Sequence, residues 1–135
     1  MSNSRASNQP GIATVACGGR NEFNPTLHLP QIAAAGFAAI ELTLLSGLEH
    51  FEYTNPQKVS ELETIADDLG IVVWSIHEQD IQPCLGAPDL SERQAAADEV
   101  RQCLKLAQRL GAKAIPSHLL MNPAFETDES EESEI

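Results

Sequence analysis

At 135 residues the chain has room for one domain, and a composition that is 42% hydrophobic but only 4% aromatic describes an aliphatic core. A net charge of −12, from 8 Lys+Arg against 20 Asp+Glu, excludes a surface built to grip a nucleic-acid backbone. No run approaches the ~18 apolar residues of a membrane span, and three isolated cysteines (Cys17, Cys84, Cys103) argue against a disulfide framework and for a reducing, cytoplasmic setting.

Residues 1–10 are polar, lack an apolar stretch and read as a disordered leader. Gly11 to Cys17 is short, apolar and partly β-branched, the pattern of a buried first strand. Gly18-Gly19-Arg20-Asn21 follows as a loop. Thr26 is placed to cap a helix running to Gly36, with Pro30 in its first turn. Ala38 to Leu45 reads as the second strand, and residues 46–54 as a loop holding His50 and Tyr53.

Asn55-Pro56 has the chemistry of a helix start, an N-cap side chain followed by proline at the first helical position. Val59, Leu62, Ile65, Ala66 and Leu69 then recur on one face, and Gly70 supplies a left-handed stop. Ile71 to Ile76 is nearly all apolar, as for a strand covered on both faces, with Trp74 in its packing. A long loop from Glu78 to Asp89 is broken by Pro83, Gly86 and Pro88, and its Glu78 and Asp80 read as loop charges. Ser91 to Gln94 has the spacing of a capping box. Ala96, Val100, Cys103, Ala107 and Leu110 mark the buried stripe of the next helix, which Gly111 ends. Ala112 to Ser117 reads as a fourth strand. Residues 124–135 form an acidic tail; the last ten residues alone carry six carboxylates and no base, the pattern of a disordered segment.

The order is thus a run of parallel βα units. Helix, glycine, strand and polar strand end recur three times, at Gly36, Gly70 and Gly111, with Glu41 five residues after the first glycine and His77 and His118 seven after the other two. Parallel strands end on one side, so these three polar residues are expected at one rim, the ligand-binding rim of α/β proteins. No glycine-rich phosphate loop follows any strand.

The segment Leu29 to Leu42, ending Ala35-Gly36-Phe37-Ala38-Ala39-Ile40-Glu41-Leu42, resembles the first helix and second strand of the xylose isomerase-like TIM barrels. Leu69 to His77 and Ala107 to His118 resemble that superfamily's next two helix–strand junctions. The resemblance spans Gly11 to Pro123 and implies residues 11–123 are the N-terminal half of a (β/α)8 barrel, with about four strands and three helices. A full barrel takes about 200 residues or more. Within the superfamily, Leu48-Glu49-His50-Phe51 and Ile115-Pro116-Ser117-His118 are similar to segments of 3-dehydroshikimate dehydratases, although His118 stands where that group has Asn. The sugar phosphate isomerases and epimerases, of hydroxypyruvate isomerase type, are the enzymatic alternative. A non-catalytic half-barrel that self-associates or binds a partner is the alternative of another class.

What the resemblance implies is a divalent metal (Mn2+, Mg2+ or Zn2+) that holds a keto-hydroxy acid or sugar while a proton moves next to the carbonyl. The family's usual metal ligands come from later strands, so the chain is expected either to continue into a C-terminal half or to pair, as in a homodimer. Glu41 corresponds to a substrate-lining carboxylate, or to a rim group bonded to loop amides. His77 and His118 correspond to zinc ligands in one branch of the superfamily, or to hydrogen-bonded rim residues. Arg20, after the first strand, is placed to bind a substrate carboxylate or to sit solvated in its loop.

Overall fold

The computed structural model describes residues 10–18, 22–44, 50–78 and 85–116. Three parallel strands, β1 (Gly11–Ala13), β2 (Ala39–Leu44) and β3 (Val72–Glu78), form a sheet in the order β1-β2-β3. The helices are α1 (Val15–Gly18), α2 (Pro25–Ala34), α3 (Pro56–Leu69) and α4 (Leu90–Leu110). The expected fourth strand is present as one parallel bridge, Ser75 to Ala114. Lys113 N–H donates to Trp74 O at 2.7 Å and Ile76 N–H to Ala114 O at 3.1 Å, so the chain after α4 runs beside β3. Spatial order therefore follows chain order, the arrangement of a barrel wall.

The helices start and stop where local chemistry dictates. Asn55 caps α3, its side chain accepting from the N–H groups of Gln57 and Lys58 at 3.0 and 3.5 Å, with Pro56 at the first position. Gly70 and Gly111 end α3 and α4 at φ +68°, a conformation costly for any residue with a Cβ. Two caps differ from expectation. Asn24, not Thr26, caps α2, which puts Pro25 at the first position and leaves Pro30 inside the helix, one turn beyond the first. Asp89, not Ser91, caps α4: its Oδ1 accepts from Ser91 N at 2.8 Å and Glu92 N at 3.1 Å. Those bonds, first the one from the Ser91 hydroxyl, hold the Asp89 carboxyl below its usual range. A carboxylate two residues upstream is a charged acceptor facing the positive helix end, and it outcompetes the hydroxyl.

One hydrophobic cluster lies between the helices and one face of the sheet. Ile40, Leu42 and Leu44 alternate onto that face from β2, and Val73 and Ile76 join them from β3. Val59, Leu62 and Ala66 of α3 and Ala96, Cys103, Leu106 and Ala107 of α4 pack against them. Leu69, expected in the stripe, is 39% exposed at the C-terminal end of α3. Side chains also tie neighbouring helices together: Thr26 Oγ1 donates to Glu61, and Arg109 grips Glu63 through Nε at 2.9 Å and Nη2 at 2.6 Å. That fork raises the Arg109 guanidinium further above its ordinary value.

Three strand expectations are corrected. The first strand stops at Ala13, and residues 15–18 form a helical turn closed by Cys17 N–H donating to Thr14 O at 3.0 Å. The third strand is not covered on both faces: Val72 is 38% and Trp74 50% exposed, so Trp74 is no core residue. Glu78 is no loop charge; it ends β3, buried at 3% exposure. There it helps, after burial itself, to push the Cys103 thiol up to about 11 and the Tyr53 hydroxyl to about 12. Arg20, the proposed loop at 46–49, His118 and the acidic tail lie outside the described residues, as do positions 1–9 of the leader.

Candidate functional site

The site begins with a register irregularity. Ile40 pairs with Val73, but Glu41 pairs with Ser75, so Trp74 has no partner residue on β2. Side chains alternate along a strand, and without this bulge Ser75 and His77 would share the helix-facing side with Val73. The extra residue inverts the phase. Ile76 then joins the core at 0% exposure, and Ser75 and His77 turn to the opposite face, where Glu41 already points.

There the three side chains meet. Glu41 Oε2 accepts from Ser75 Oγ at 2.9 Å, and Glu41 Oε1 lies 3.2 Å from His77 Nδ1. An ionised carboxylate only accepts, so the bond between them is carried by a proton on His77 Nδ1. The side chains of His77 and Glu41 are 20% and 29% exposed, sheltered but reachable. Glu41 does not end its strand as expected; it is the third residue of β2, level with Ala13 at the end of β1. Thr43 and His77 form the next pair toward the C-terminal rim.

Beside this group is a buried knot that sequence reading passed over. His50 is 0% exposed, with Nε2 2.9 Å from Thr14 Oγ1. Thr14 Oγ1 also accepts from the backbone N–H of Thr43 at 3.1 Å. Phe23 stacks on His50 with ring centres 5.9 Å apart and donates its N–H to His50 O at 2.6 Å. The knot ties the segments after β1 and β2 to each other and to Thr43 of β2. Only the apolar neighbours Phe23 and Phe51 hint at it in the sequence, and their register with His50 is a tertiary matter.

Of the four residues singled out from sequence, the structure brings Glu41 and His77 together and adds Ser75; His118 and Arg20 lie outside the described residues. Among the described residues no three His, Cys, Asp or Glu side chains gather to hold a metal ion. Glu41 and His77 are engaged with each other, so these residues do not by themselves form the metal site that the resemblance implies. A separate cavity of about 720 Å³ lies at the opposite end of the strands, where Ile71, Val72, Trp74, Leu110 and Lys113 line it. No helix among the described residues is long and apolar enough to cross a membrane.

This arrangement is a carboxylate–imidazole pair at the C-terminal side of a parallel sheet. Such a pair suits proton transfer, because the carboxylate orients the imidazole and favours its charged form. Comparison with known proteins agrees on the architecture. The chain resembles the crystal structure of D-psicose 3-epimerase with D-tagatose from Clostridium cellulolyticum H10, with a TM-score of 0.64 and 21% identity over 79% of this chain. The match covers 36% of that epimerase, so the chain spans about a third of its length. No curated protein matches the chain. Residues 29–134 match the family described as "Xylose isomerase-like TIM barrel", and the chain belongs to that family.

Proposed function

We propose that the chain supplies the substrate-holding first part of a barrel enzyme that moves a proton next to the carbonyl of a polyhydroxylated keto compound, as an isomerase or epimerase. The observation that carries this is the Glu41 carboxylate held between Ser75 Oγ and His77 Nδ1. Both oxygens of the carboxylate are anchored, and it holds the imidazole at Nδ1, which fixes the position of both groups. The similarity to a sugar epimerase supports this class.

Dehydration of 3-dehydroshikimate begins with the same proton abstraction and is the second reading. Of the two segments that suggested it, one contains His50 and Phe51, which are both buried, and the other ends at His118, outside the described residues. A divalent metal, if later strands or His118 supply its ligands, would polarise the carbonyl.

The test is a titration of the isotope-labelled 135-residue chain followed through its backbone amide signals. Millimolar D-tagatose should shift Glu41, Ser75 and His77, and Glu41→Gln should remove most of that response. Shifts with 3-dehydroshikimate alone would transfer the assignment to the dehydratase. No shift with either compound would sink both readings.

A further inference from the structure

Thr43 carries a polar atom that the fold leaves unused. The residue is 0% exposed, and its Oγ1 has no hydrogen-bond partner among the described residues. Its backbone N–H is satisfied by Thr14, so the unmet group is the side-chain hydroxyl. Such groups are rare because a buried hydroxyl gives up its bonds to water and gains nothing in exchange. Valine would fill the same space without that cost. The register sets Thr43 directly opposite His77, and strand alternation puts it on the face of Glu41, two residues nearer the rim. The unused hydroxyl thus adjoins the Glu41–His77 pair.

We propose that Thr43 Oγ1 is a substrate-binding hydroxyl of this site, pairing with one hydroxyl of the polyhydroxylated keto compound; the inference rests on the reading of Glu41 and His77 as a substrate site. A hydroxyl donates and accepts at once, which matches a sugar hydroxyl that does the same. Neither neighbour duplicates this: an ionised Glu41 only accepts, and His77 Nδ1 is committed to Glu41. Ligand entry satisfies a buried group that the free chain leaves unmet, so the contact discriminates against analogues lacking that hydroxyl.

Thr43→Val and Thr43→Ser in the 135-residue chain test this, with thermal unfolding in the absence of ligand and the D-tagatose titration run in parallel. Thr43→Val should keep or raise the melting temperature and weaken D-tagatose about tenfold, equivalent to about 1.4 kcal/mol. Thr43→Ser should recover most of the affinity. Unchanged affinity in Thr43→Val, with Glu41→Gln still impaired, would overturn this inference alone. A lower melting temperature in Thr43→Val, with equal loss of binding in Thr43→Ser, would make the residue structural and overturn it too. A wild-type chain that ignores D-tagatose would instead defeat the reading of the Glu41–His77 pair, and this inference with it.

Discussion

Thr14 concentrates the economy of the molecule in one side chain. Its hydroxyl oxygen accepts the Thr43 N–H and bonds His50, joining two segments far apart in sequence in a place closed to water. Thr14→Val keeps the shape and removes both bonds, which strands a buried N–H and a buried imidazole nitrogen. We expect a loss of about 1–3 kcal/mol, read from urea unfolding. The site itself follows the same logic. That Glu41 and His77 fall on neighbouring strands was legible in sequence, because they stand five and seven residues after helix-ending glycines. Ser75 was not, since a serine inside an apolar run carries no sign of which way it points. Its role depends on the carboxylate of another strand, 34 residues away.

At the scale of elements, the helices obey local rules and the strands do not. α3 is set by Asn55, Pro56 and Gly70, all within the segment itself. Gly70→Ala should therefore act through backbone strain alone, because nothing lies within 4 Å of the added methyl. The expected cost is about 1–2 kcal/mol, visible as a lower melting temperature with the circular dichroism of the folded state unchanged. The caps of α2 and α4 were misplaced by two residues, each by choosing a hydroxyl where an upstream Asn or Asp offers a better acceptor. The bulge at Trp74 is of another kind. It is the device that turns Ser75 and His77 toward Glu41, and it exists only as a relation between β2 and β3. An unbroken apolar run such as Ile71 to Ile76 reads the same with or without it.

For the whole molecule, the helices cover one face of the sheet, while Val72 and Trp74 stand open at the start of β3. Trp74, the single tryptophan, is a natural reporter of what happens there. At half exposure its fluorescence should be readily quenched by acrylamide in dilute solution. Quenching that falls as the chain is concentrated would show a second copy covering this end of the sheet. Quenching that stays constant would leave it open to solvent. The sequence by itself determined the α/β class, the alternation of the three strands with their three main helices, and the glycine stops. These follow from hydrogen-bond caps and apolar periodicity, which act over a few residues. Only the tertiary structure decided that β3 carries a bulge, that His50 is buried against Thr14, and that Thr43 holds an unused hydroxyl beside Glu41 and His77. Register and hydrogen-bond satisfaction are settled between segments some thirty residues apart, and strand alternation makes a one-residue shift exchange the two faces of the sheet.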